Sequence, residues 1–166
     1  MIVLAKNYLS ELFLRAGIKK EKIITDNSYE PKFKTYPWVS LISGEEKLEE
    51  DRRKVASEKL SDRIIIRHKK QTRKIVIEVT ISGKTEEEVS IYLDYLLENL
   101  EKGIMDKNNN YVAVMPEKAV WSDSEKYLKD ETWVTIFINF VGGVYQDKEI
   151  ILLPKITTKI KGANDE

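Results

Sequence analysis

The chain has 166 residues, 42% hydrophobic and 34% charged, with 28 basic and 28 acidic side chains that cancel. That length suits one domain with a core of its own, and the balanced charge supplies no global field to attract nucleic acid. There are no cysteines, which removes disulfides, thiolate metal sites and cysteine nucleophiles together.

The opening MIVLAKNYLSELFL is interrupted by Lys6, Asn7, Ser10 and Glu11, so it lacks the continuous apolar core of a signal peptide. No apolar run approaches the ~20 residues that span a bilayer, and a cytoplasmic protein, or one assembled there, is expected. Val3–Ala16 reads as an amphipathic helix, with Leu4, Tyr8, Leu9, Leu12, Phe13 and Ala16 on one stripe and Gly17 ending it. Ile18–Tyr36 contains Pro31 and reads as a loop with one short strand. Trp38–Ser43 is a short strand. Gly44–Lys59 is almost entirely polar and is expected to be an exposed loop or a solvent-bridging helix.

Arg63–Arg67 and Lys74–Ser82 read as two strands of an antiparallel hairpin with a basic tip, His68–Arg73. In the second strand Ile75, Ile77, Val79 and Ile81 share one face. Thr85–Lys102 is the clearest helix: Thr85 with Glu88 forms a capping box, Val89, Tyr92, Leu93, Leu96, Leu97 and Leu100 make the stripe, and Gly103 stops it. A turn at Asp106–Asn110, a strand Tyr111–Met115 and a connection holding Trp121 follow.

Thr132–Tyr145, TWVTIFINFVGGVY, is apolar on both faces. Val134, Ile136, Ile138 and Phe140 lie on one, Trp133, Thr135, Phe137 and Asn139 on the other. The second face needs a cover, either the N-terminal helix or another subunit. Gly142–Gly143 marks a bulge or bend in a long hairpin. Ile150–Leu153 is a last strand ended by Pro154, and residues 155–166 form a polar tail after a single domain, 1–154. Strand runs with one central helix indicate an α+β fold: a mainly antiparallel sheet with an N-terminal helix and one central amphipathic helix packed on it.

Chemistry is sparse. His68, the single histidine, stands between cations and reads as a surface residue. Asp62 and Glu78, with Lys84 nearby, would be the centre of a metal-dependent nuclease of restriction-endonuclease type. That arrangement wants an acid-x-lysine pair, and the residue two after Glu78 is Thr80. The basic cluster Arg63, Arg67, Lys69, Lys70, Arg73 and Lys74 either contacts phosphates, as in a nucleic-acid-binding module, or meets an acidic neighbour such as Glu45, Glu46, Glu49 and Glu50 of an adjacent copy.

An N-terminal helix, PWVSLI leading into a polar loop, R-x9-R before a capped helix, and AVMPEKAVWSDSEKYLKDETWVTIFINFVGGVY together resemble bacteriophage tail terminator (tail completion) proteins over roughly Tyr36–Leu153. The resemblance implies a tail-tube-like fold and a homohexameric ring that caps the tail tube and joins it to the head-completion or neck protein. It implies no cofactor and no catalytic residue. A virion location, with assembly in the bacterial host cytoplasm, follows from it; a tube subunit or head-completion adaptor shares the same texture. Trp133, Phe137 and the basic hairpin are the expected subunit interface, with no membrane or sequence-specific nucleic acid as partner. Gly44–Lys59 and the tail are expected to be arms that order on assembly.

Overall fold

The computed structural model describes residues 1–26, 35–122 and 132–153. The expected tail, the strand stop at Pro154, the loop around Pro31 and most of the connection after Trp121 lie outside them. The elements in order are α1 (Ile2–Arg15), a 3-10 turn (Lys20–Lys22), β1 (Ile23–Ile24), β2 (Trp38–Glu50), β3 (Lys54–Lys59), β4 (Arg63–Gly83), α2 (Glu86–Asn99), β5 (Gly103–Met105), β6 (Tyr111–Trp121) and β7 (Thr132–Ile151). All the strands join one sheet, ordered β1-β2-β4-β7-β6-β5, with β3 also on β4. Every pairing is antiparallel except β1 with β2, so the α+β expectation holds.

Both helices form where the sequence places them. α1 buries Ala5, Leu9, Leu12 and Phe13. Gly17 then takes φ 92°, open to glycine without strain, while the Ile18 N–H reaches back to the Phe13 carbonyl at 3.0 Å. At the start of α2 the Thr85 hydroxyl accepts from the Glu88 N–H at 3.2 Å, and the Glu88 carboxylate accepts from the Lys84 N–H at 2.7 Å. One orphan helix donor is thus satisfied, and the carboxylate reaches the N–H one residue earlier than a standard capping box would have it. Gly103 does not stop this helix. The chain is extended from Leu100, and Gly103 opens β5 under the ring of Tyr111, where an added Cβ would lie 2.2 Å from Tyr111 Cζ.

The core lies between the helices and one face of the sheet. Ile75, Ile77, Val79 and Ile81 of β4 are fully buried, as are Val134, Ile138 and Phe140 of β7, against Leu9, Phe13, Val89 and Leu96 from the helices. The Phe140 and Tyr8 rings meet near perpendicular, 6.5 Å between centroids.

The second half of the sheet departs from expectation. Gly44–Lys59 is neither loop nor helix: β2 runs on to Glu50 and β3 takes over the same edge of β4. His68–Arg73 is not a hairpin tip but the middle of β4, a continuous strand of 21 residues. The true turn is at the other end, where the Leu60 N–H meets the Arg63 carbonyl at 2.8 Å. β6 continues through Trp121, which therefore stands on a strand and not in a connection. β7 likewise runs unbroken through Gly142, Gly143 and Ile150. The irregularity expected at the glycines falls on the partner strand, between Lys69 and Gln71. The result is a three-stranded arm, β3-β4-β7, extending past the helices. It is rich in charged side chains because both its faces are wet, and β4, its central strand, is paired along both edges.

Candidate functional site

Residues directly opposed on neighbouring strands share a sheet face, so the register defines the face away from the helices row by row. The first row is Trp38, Ser82 and Trp133; the next is Ser40, Thr80, Thr135 and Val120. Then come Ile42, Glu78, Phe137 and Lys118, followed by Val76, Asn139 and Met115. Both helices bury their apolar side chains in the core on the other side. α1 is therefore not the cover for Trp133 and Phe137, and among the described residues no helix or further strand lies over this face. Trp38, Ile42, Val76, Trp133 and Phe137 are half-buried by their own neighbours, while Met115 and Val120 remain 45% and 51% exposed.

The polar groups on this face are partly tied to one another. The Thr80 and Thr135 hydroxyls are 3.0 Å apart. Lys118 Nζ stands 5.0 Å from the centroid of the Phe137 ring, a cation–π contact. Asn139 Nδ2 donates to Glu117 Oε2 at 3.0 Å, and this bond, against the opposing effect of burial, holds the Glu117 carboxyl below its usual range. Asn139 Oδ1 and Ser82 Oγ are buried with no hydrogen-bond partner. A sheet face with aromatic side chains, ungrouped polar atoms and no catalytic constellation is equipped to be covered by protein.

The charged cluster expected at the interface sits on the arm and is largely paired within the chain. Arg67 grips Asp147 through two N–H donors at 2.8 and 2.9 Å. Arg73 meets Glu46 at 2.6 Å, and Arg63 meets Asp62 and Glu149 at 3.2 and 3.3 Å. Asp51 gathers Arg53, Thr72 and Lys69. The Arg53 guanidinium holds the Asp51 carboxyl well below the usual carboxylate range. Glu50 pairs with Arg52, Glu45 stands 3.9 Å from Lys47, and Glu49 and Lys70 are exposed on the arm. Four of the six cations in the basic cluster, Arg63, Arg67, Lys69 and Arg73, thus have acidic partners in their own chain. His68 is half-buried in mid-strand opposite Lys54 and Gln146, not in a surface turn.

The nuclease reading fails on distance. Asp62 is at the arm tip, and Glu78 lies about 50 Å further along the same extended strand at ~3.3 Å per residue. Two carboxylates so placed cannot share a metal. Among the described residues no group of histidine, aspartate and glutamate side chains could hold one, and no helix is long and apolar enough to cross a membrane.

Sequence reasoning identified Trp133 and Phe137 but missed Trp38, Ile42 and Val76 as members of the same face. The signal was available in the alternation of Trp38–Ile42, which places apolar side chains on both sides of β2 just as in β7. No protein-family model matches this chain, and no curated protein matches it. Among solved structures, a chain from the virion of a native gene transfer agent (GTA) particle aligns with 82% of this chain and 84% of its own length, at 13% identity and a TM-score of 0.41.

Proposed function

We propose that the chain is a structural subunit that assembles with copies of itself, specifically a tail terminator of a long-tailed phage or phage-derived tail. In this reading a homohexameric ring caps the finished tail tube and presents a surface to the head-completion or neck protein. It works by shape and charge complementarity, without covalent chemistry or cofactor.

The observation that carries this reading is the sheet face over which no described helix or strand lies. Trp38, Ile42, Val76 and Phe137 lie on it, opposite a face already filled by two helices. The sequence resemblance to tail terminators supplies the particle and the ring. Light-scattering mass of the purified protein, joined to negative-stain imaging, tests it. Closed rings of about six copies are the expected result; a protein that remains monomeric at every concentration counts against it.

A further inference from the structure

We propose that the charged cluster around Asp51 is a latch that fixes the direction in which the arm leaves the body of the fold. The latch acts within a single molecule, whatever that molecule assembles into.

The sheet changes at one level. Toward the arm, β6 last pairs with β7 at Ala113 and Val141. β2 last pairs with β4 at Glu50 and Gln71, and β3 takes over at Lys54 and His68, so only Lys69 and Lys70 of β4 lie between. There β4 also slips against β7: Lys69 pairs with Tyr145 and Gln71 with Val144, which leaves Lys70 as an extra residue. A bulge of this kind bends its strand and raises the local twist. Neighbours change on one edge of β4 where the register slips on the other, so this is the pivot of the sheet. From Lys69 to Arg63 the arm reaches ~20 Å beyond it, at ~3.3 Å per residue.

Asp51 spans the pivot. It opens the link between β2 and β3, and its N–H donates to the Lys70 carbonyl at 2.8 Å. At the other end of the link the Arg53 carbonyl accepts from the Lys69 N–H at 2.9 Å, so the link holds the backbone of both residues at the bulge. The Asp51 carboxylate takes the Arg53 guanidinium at 2.7 and 2.9 Å, the Thr72 hydroxyl at 3.2 Å and Lys69 Nζ at 3.8 Å. Lys69 is on the arm side of the bulge and Thr72 on the body side, so one carboxylate ties the two together. Gly143 leaves room for this crossing, since a Cβ there would stand 2.7 Å from Lys69 Cε. The Asp51 and Lys69 side chains are only 9% and 15% exposed. In the ion pairs of the described residues that do not involve Asp51, every side chain is at least 29% exposed. A pair withdrawn from water is screened little and holds its geometry where exposed pairs do not.

The chain has no cysteine, so spin labels can be placed at will. Ile151→Cys labels the arm tip and Ile91→Cys labels α2, both at exposed sites. Pulsed double electron–electron resonance, with the labelled protein diluted into unlabelled protein, reads the tip-to-body distance within one molecule. The labelled protein should give a single narrow distance. Adding Asp51→Ala should replace that peak by a broad or displaced distribution while the far-ultraviolet circular dichroism is kept. Asp51→Asn, which keeps the shape and one acceptor oxygen, should broaden it less, and it decides the matter where the alanine variant does not fold. Arg52→Ala breaks only the exposed pair with Glu50 in the same link and should leave the peak as it was. A narrow distance unchanged in the Asp51 variants, even with a lowered melting temperature, would overturn the latch and leave the cluster a stabilising contact only. Equal broadening by Arg52→Ala, or a broad distribution before any change at Asp51, would overturn it as well.

Discussion

Glu78 of β4 and Phe137 of β7 stand directly opposite each other on the sheet face that neither helix covers. One position along, Ile77 and Ile138 oppose each other on the other face and are completely buried. The same two strands thus present a finished core on one side and an unfinished surface on the other. Ile138→Ala should destabilise the monomer by about 2–5 kcal/mol, the usual range for emptying a core site. Phe137→Ala, at a half-buried site, should cost the monomer less than half as much. Urea unfolding of both variants under dissociating conditions checks the order.

The cap of α2 is a local device with a local cost. Thr85→Ala removes the hydroxyl that accepts the Glu88 N–H and should cost about 1 kcal/mol. Thr85→Ser should retain most of it. Chemical denaturation of the two variants distinguishes loss of the cap from loss of the threonine methyl.

Gly103→Ala should destabilise by about 1 kcal/mol, the low end for overpacking, because the new methyl takes the place of the half-exposed Tyr111 ring, which must swing aside. Displacing that ring also breaks the 3.0 Å bond from the Tyr111 hydroxyl to the Lys102 carbonyl. Adding Tyr111→Ala should relieve the clash, so the double variant should be more stable than the two single losses would sum to.

The arm carries an acid-sensitive term. Asp51 is held below the usual carboxylate range by Arg53, and Asp147 by Arg67. A carboxyl with a lowered folded pKa stabilises the fold above its unfolded value, about 3.9. That contribution is lost as pH falls below this value toward the folded pKa. Asp51→Asn should therefore lower the melting temperature at neutral pH and flatten its decline between about pH 4 and pH 2. An acid limb identical to wild type would contradict the assignment.

Ser82 sits between two tryptophans on the face away from the helices, with its buried hydroxyl unpartnered. Ser82→Ala should leave the monomer unchanged or stabilise it by about 1 kcal/mol, since it deletes a desolvated group that forms no bond. Thermal unfolding of the variant is the direct measurement.

The helices and the core face were legible because burial writes itself into the sequence as periodicity. Leu9, Leu12 and Phe13 recur at helical spacing, and Ile75 to Ile81 alternate. The arm was not legible for the same reason. Residues 44–59 bury little, so their strand character comes from the hydrogen-bonding edges of β4 and not from any apolar pattern of their own. His68–Arg73 read as a turn because a strand wet on both faces has the composition of a loop. The pairings of Arg67 with Asp147 and Arg73 with Glu46 join distant segments, which composition cannot match. The double apolarity of β7 was visible at once; that α1 packs on its other face required the fold.

The most direct test of the face away from the helices as the assembly surface is the solution mass of Phe137→Glu beside that of the wild-type protein. Both should show the same far-ultraviolet circular dichroism, since Phe137 lies outside the core cluster. The account predicts that wild type sediments as a closed oligomer and that the variant sediments as a monomer, because a carboxylate set between Glu78 and Lys118 replaces an aromatic contact with a charge that is costly to take out of water. A Phe137→Glu protein that forms the same oligomer as wild type would contradict it.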